Sequence, residues 1–291
     1  MAAFAGNDAF VKLVAQRYPL GEVIFVRGLM TSALLGVMLL ILGRVNAAAA
    51  FKNRRVMTRA LLEGLATALF TAALVHMPIA EVAAILLASP LILTGMAVFF
   101  HGEEVGARRW AAIGVGFAGV LLVAKPAPGQ LNEWALIAFL CAFVSASRDL
   151  ITRNIDPRMP ALAVSLVASV SVALFGLGMG WWEEWRPVDP VNLGLLGFSA
   201  VFLATGNFLL VLAFRGVDIA VVAPYRYTLL IWASLSGFFL FRETPDRLAM
   251  AGALLIAASG VYALHRERLR AREPAGQGEI IDSPTAVSGK V

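Results

Sequence analysis

Asn7-Asp8-Ala9-Phe10-Val11-Lys12 and Arg148-Asp149-Leu150-Ile151-Thr152-Arg153 each carry an acid followed four residues later by a base. The same interval, 141 residues, separates the two acids and the two bases. Ile79-Ala80 recurs as Ile219-Ala220 and Glu103 as Glu243, each 140 residues on. Between these points the chain is almost continuously apolar. Charges at matching points in two related apolar halves describe an internal duplication within a membrane, the arrangement in which two halves enclose a solute path.

Composition agrees. Of the 291 residues, 59% are hydrophobic and 15% charged, and the mean hydropathy is +0.79. Soluble domains carry roughly a quarter charged residues, so this chain cannot cover a water-facing surface. Apolar runs of about 20 residues recur along its length, each long enough to cross the hydrocarbon core as a helix. Lipid offers the backbone no hydrogen bonds, and the runs are too long for barrel strands, which leaves helices.

Apolar runs read against loop charges place about ten spans, at 1–16, 20–43, 57–77, 79–100, 107–124, 131–152, 160–181, 192–213, 217–240 and 247–264. Span 1 is short: about 16 helical residues reach about 24 Å against a core of roughly 30 Å. Basic residues gather in alternate loops. Arg44, Lys52, Arg54, Arg55 and Arg59 follow span 2, Arg108 and Arg109 follow span 4, and Arg148, Arg153 and Arg158 surround the end of span 6. Arg266, Arg268, Arg270 and Arg272 follow span 10, whereas the opposite loops hold Arg17, Lys125, Arg186, Arg242 and Arg247. That asymmetry places both termini in the cytoplasm. Five spans per half is an odd number, so the second half enters the membrane inverted. The expected fold is all-α and integral to the membrane, with two inverted five-helix repeats, 1–124 and 131–265. A cytoplasmic tail, 266–291, follows, disordered over its polar stretch 273–291.

Several functions are excluded on composition. The pI of about 9.8 reflects loop arginines that set topology rather than a phosphate-binding face, so no nucleic-acid partner is expected. One cysteine, Cys141, and three scattered histidines (His76, His101, His265) provide no disulfide framework, no metal site and no cofactor ligands. No nucleophile–base constellation lies at one depth, which argues against an intramembrane enzyme. No Gly-rich phosphate loop is present, so no ATP-driven motor is expected.

Charges inside the spans are the candidate functional groups. Arg27 lies well inside span 2, where a charge costs at least about 2.5–3.5 kcal/mol on insertion scales, and Glu63 in span 3 is its natural partner. Arg226, bracketed by Tyr225 and Tyr227 after Pro224, sits some nine residues into span 9; its guanidinium can bind a carbonyl or anion while a planar ligand stacks on an aromatic face. Asn207 in span 8 can both donate and accept hydrogen bonds. The i,i+4 pairs Asp8–Lys12 and Asp149–Arg153 lie near opposite ends of the path and are candidate gates. The alternatives are a buried ion pair for Arg27–Glu63, interfacial snorkelling for Arg226 and surface ion pairs for the two echoes. Glu81 at the start of span 4 is a further path-facing candidate. Glu103 and Glu243 are read as turn structure, His76 as interfacial, and Trp181, Trp182 and Trp185 as an aromatic belt. Gly114, Gly116, Gly119, Gly252 and Gly260 are close-packing positions.

The stretch Asn7-Asp8 through Lys12, Pro19-Leu20-Gly21-Glu22, Arg27-Gly28, Ser89-Pro90 and the Gly102-Glu103 turn with Gly119 resembles the drug/metabolite transporter superfamily, EamA-type. So do Arg148-Asp149, the run from Ala223 to Thr228, and Glu243-Thr244-Pro245 with Gly252. The likeness covers about residues 1–267, departing at the N-terminus, where span 1 is shorter than the family's usual lead. It implies ten helices in two inverted halves, a central cavity, and secondary transport of a small polar organic metabolite by alternating access in a bacterial inner membrane. Within the superfamily the motifs are most similar to a branch that includes riboflavin importers. A flavin ring would suit Tyr225, Tyr227 or Trp232, and its ribityl hydroxyls would suit Asn207 and the arginines. Export of amino acids or related metabolites is the alternative, ahead of an intramembrane enzyme or a structural subunit.

Overall fold

The computed structural model describes residues 1–42, 47–101, 107–124, 132–156, 158–214 and 226–272. Glu103, Ile219, Ala220, Pro224, Tyr225 and the tail 273–291 lie outside the described residues, as do the side chains of Arg153 and Asn207. Among the described residues every regular element is helical. The first half holds α1 (Ala2–Ala15), α2 (Leu20–Leu42), α3 (Ala47–Lys52), α4 (Arg54–His76), α5 (Ile79–Leu86), α6 (Ser89–His101) and α7 (Ala107–Ala124). The second holds α8 (Glu133–Arg153), α9 (Ala161–Met179), α10 (Pro190–Phe214), α11 (Thr228–Phe241) and α12 (Arg247–Arg272).

Local sequence sets the ends of these helices. Asn53 and Asn132 cap α4 and α8, each side-chain oxygen accepting two backbone N–H groups of the first turn. Asp189 does the same for α10, and Asp246 caps α12 by accepting the Ala249 N–H. The region predicted as one span at 79–100 is two helices, broken at Leu87–Ala88. Pro90, just inside α6, has no N–H to give and its ring would collide with the carbonyl four residues earlier. Two further differences have simple causes. The alanine run of α3 was hidden within a charged loop, but alanine is the strongest helix former, and Ala50 buries against Val56, Ala60, Ala163 and Val167. The tail expected from 266 is still helical to Arg272, because helical hydrogen bonding continues through good helix formers beyond the apolar segment.

Among the described residues four helices are long and apolar enough to cross a bilayer, at 20–41, 54–76, 133–152 and 161–182, and shorter apolar segments accompany them. Their outer surface is apolar as well, with Leu40, Phe239 and Val191 all largely exposed, as lipid contact requires.

α2 packs along α9, α4 against α8 and α9, α1 against α10, and α7 against α12. Small residues permit the closest of these contacts. A Cβ on Gly119 would lie 2.7 Å from the Gly252 carbonyl oxygen, and one on Gly252 would lie 2.5 Å from that of Gly119. Gly114, by contrast, has nothing within 4 Å of its missing Cβ and is not a packing position among the described residues. The α1–α2 turn, the end of α4, the end of α9 and the α11–α12 connection gather at one end of the bundle, the first mouth. The α8–α9 turn, α3 and the starts of α4 and α11 gather at the other, the second mouth.

Candidate functional site

Polar groups inside this apolar bundle form three layers. The middle layer centres on Arg27, 5% exposed. Its Nη1 donates to Asn7 Oδ1 (3.3 Å), which also accepts from Ser199 Oγ (2.7 Å). The Asn7 amide in turn donates to Asp8 Oδ1 (2.8 Å). Arg27 Nε has no acceptor among the described residues. A buried guanidinium with an unsatisfied donor retains capacity for a carbonyl or an anion, since an unmet charged donor is costly in a dry interior.

The layer at the first mouth is built on Lys12, 3% exposed. Its Nζ donates to the Met77 carbonyl (2.6 Å) and pairs with Glu243 Oε1 (2.6 Å). Glu243 Oε2 accepts the Ile79 N–H at the start of α5 (2.9 Å). One carboxylate thus joins α1, the α4–α5 turn and the end of α11. Arg242 adopts φ 55°, a left-handed conformation costing roughly 1–2 kcal/mol for a residue with a Cβ. The turn brings the Glu243 N–H back onto the Gly237 carbonyl (3.0 Å) and aims its side chain at Lys12.

At the second mouth five charges join α4, α8 and the start of α11. Glu63 pairs with Arg59 (3.3 Å) and Arg148 (3.1 Å). Asp149 pairs with Arg148 (2.8 Å) and Arg226 (3.5 Å). Three guanidiniums face two carboxylates, and Arg59 Nε and Nη1 are buried with no acceptor among the described residues.

Outside the spans, Asp189 holds the first mouth together. It caps α10 and accepts the Tyr18 hydroxyl (2.7 Å). The Asn192 backbone N–H, the Tyr18 hydroxyl and the Asn192 amide hold its carboxyl down at about 2. Glu183 on the same connection accepts the Gly21 N–H with both oxygens (3.1 and 2.9 Å).

Several expected pairings are corrected. Arg27 and Glu63 do not bond each other. Arg27 is seven residues from the first-mouth end of α2 and Glu63 thirteen from that end of α4, an axial offset of about 9 Å at 1.5 Å per residue. Lys12 turns away from Asp8 to Glu243, because a cross-helix carboxylate with a neighbouring carbonyl offers two acceptors where the i,i+4 partner offers one. Asp149 is held by Arg148 and Arg226, and the side chain of Arg153, its expected partner, lies outside the described residues. Of the aromatic residues expected to suit a flavin ring, Trp232 is 45% exposed on the outer surface, the Tyr227 hydroxyl is buried against Gly260 with no hydrogen-bond partner among the described residues, and Tyr225 lies outside the described residues. His76 stacks on Trp134 with ring centroids 3.5 Å apart, and Trp185 covers Phe25 at 5.2 Å.

Asn7, Ser199, Arg59, Arg148 and Glu243 enter the layers although sequence reasoning gave them no such role. Arg59 had a readable signal, one helical turn before Glu63. Asn7 and Ser199 had none, because single small polar residues are common in membrane helices.

The description "EamA-like transporter family" matches residues 1–125 and 132–264. Among relatives, the S-adenosylmethionine uptake transporter of Rickettsia prowazekii is 27% identical over 264 residues, covering 90% of this chain and 88% of its own length. The riboflavin transporter of Rhizobium johnstonii is 28% identical over 223 residues, covering 76% and 73%. The pseudopaline exporter CntI of Pseudomonas aeruginosa is 23% identical over 260 residues, covering 88% and 90%. A crystal structure of another protein shares the fold with a TM-score of 0.60 at 19% identity, over 92% of this chain and 97% of that one.

Proposed function

We propose that this chain, which belongs to the EamA-like transporter family, is a secondary carrier that takes a small polar metabolite into a bacterial cell by alternating access. The coarser part stands on the family and on an all-helical apolar bundle: this is a multi-pass membrane protein with transporters for relatives. Two successive matches to one family model, together with the acid–base echo, support ten helices in two inverted repeats. The distribution of loop arginines supports cytoplasmic termini, with the first mouth facing outward.

One observation carries the site: Arg27 is a buried cation with a donor left unused among the described residues, lying between two mouths that ion pairs hold closed. A substrate carboxylate or carbonyl docks there, with Asn7 and Ser199 beside it. Opening of Lys12–Glu243 admits it, and opening of the Glu63–Arg148–Asp149–Arg226 network releases it.

S-adenosylmethionine, which carries a carboxylate, is the first substrate reading. Riboflavin is the second, favoured by the Rhizobium johnstonii relative. Uptake of labelled S-adenosylmethionine and labelled riboflavin into vesicles holding the purified chain separates them, with the other compound and free amino acids as competitors. Absence of counterflow with every probe, in correctly inserted protein, removes the carrier reading.

A further inference from the structure

The middle layer contains a carboxylate that neither mouth uses. Asp8 sits on α1, half-buried, with the Asn7 amide on one oxygen. Among the described residues no cation lies within ion-pairing distance of it. Glu63, Asp149 and Glu243 each have a cation at 3.5 Å or closer. The helices packed against α1 do not remedy this. α10 and α11 contain no charged residue. α2 offers Arg27 and, closer to the mouth, Glu22, which accepts the Arg186 N–H. From α4 come Glu63 and Arg59, which bond each other, and His76, which is stacked on Trp134. Lys12, on the same helix, is committed to Met77 and Glu243. Asn7 therefore stands as a neutral spacer between Asp8 and Arg27, bonded to both.

We infer that Asp8 is the proton-binding site that couples transport to a proton gradient. This rests on the carrier reading above. An ionised carboxylate without a cation in an apolar bundle is costly, and a proton on its second oxygen removes that cost. The same proton removes a negative charge from beside Arg27, so an anionic substrate group and a proton favour each other's binding. Coupling of this kind is reciprocal. The proton is taken from water at one mouth, travels as the neutral carboxylic acid, and is released as a hydron to water at the other. No other bond is made or broken.

The full chain in vesicles provides the test, with labelled S-adenosylmethionine and labelled riboflavin as probes. With the membrane potential clamped at zero, wild-type protein is expected to accumulate its probe by up to roughly tenfold under an inward acid gradient of one pH unit, the ceiling for one proton per substrate. Asp8→Asn should retain counterflow at equal pH and lose accumulation, while Asp8→Glu should keep both. Accumulation by Asp8→Asn equal to wild type overturns the assignment, and so does loss of its counterflow along with accumulation. As a check that needs no variant, a pH dye should report proton movement that begins when substrate is added to wild-type vesicles. Substrate flux without it overturns the proposal. Absence of counterflow in wild type points to the carrier reading instead, so the two failures differ.

Discussion

Glu243→Gln isolates the contact at the first mouth. The wild-type carboxylate gives one oxygen to Lys12 Nζ at 2.6 Å and the other to the Ile79 N–H at 2.9 Å. Glutamine retains one acceptor but loses the charge. A hydrogen bond to a charged group is worth about 1.5–3 kcal/mol. Glu243 is 21% exposed, so water offsets part of that, and the lower half of the range, about 1.5–2 kcal/mol, applies. If the contact exists only when the mouth is closed, its loss raises the open-to-closed ratio about 10- to 30-fold. Labelling of a thiol placed at the buried Ala80 position (Ala80→Cys in a Cys141→Ser background) by a membrane-impermeant reagent reads that ratio. The variant should react about 10–30 times faster than its parent. The charge-swapped pair Lys12→Glu with Glu243→Lys should not restore the parent rate, because position 12 must also donate to the Met77 carbonyl. Equal labelling rates in parent and Glu243→Gln would refute the idea that this ion pair closes the mouth.

Arg27→Met should reduce uptake to the level of empty vesicles while leaving membrane insertion and detergent-solubilised size unchanged; normal flux in that variant would remove Arg27 from the site. Tyr227→Phe should leave transport unaltered and stability equal or about 1 kcal/mol higher, because it deletes a buried hydroxyl with no partner among the described residues. A rise in KM would instead assign that hydroxyl to substrate. Gly260→Ala places a methyl where the Tyr227 hydroxyl lies and should lower thermal stability by about 1–3 kcal/mol, with partial recovery when combined with Tyr227→Phe. For Asp189, the folded carboxyl is held at about 2, below the value near 3.9 of an unfolded chain. Its stabilisation is complete above about pH 4 and disappears as pH falls through about 2. Fluorescence of a chain keeping only Trp185 should therefore be flat from pH 8 to 4 and change below it, and Asp189→Asn should abolish that step; a step in the parent above pH 5 would contradict the assignment.

Pattern alone was enough to read an apolar, helical membrane chain from this sequence, because hydrophobic run length and loop charge are local quantities that lipid and water sort one segment at a time. Arg27 was legible for the same reason: a cation in mid-span requires a polar environment wherever the span packs. The helix break at Leu87–Ala88 was legible in principle from Pro90. Which carboxylate meets which cation was not. Glu63 and Arg27 belong to neighbouring helices, yet their depths differ by about 9 Å, and depth depends on where each antiparallel helix begins. Lys12 and Glu243 are 231 residues apart; only packing of α1 against the end of α11, with Arg242 in a left-handed turn, brings them together. The spacing of Asp8 and Lys12 predicts a bond between them. In the folded bundle their four-residue interval separates two tasks, because Lys12 reaches the mouth and Asp8 remains beside Arg27 with one amide between them. Sequence periodicity determined which residues enter the membrane, and tertiary packing decided their partners, since short-range electrostatics inside a bilayer depends on distances that no local pattern contains.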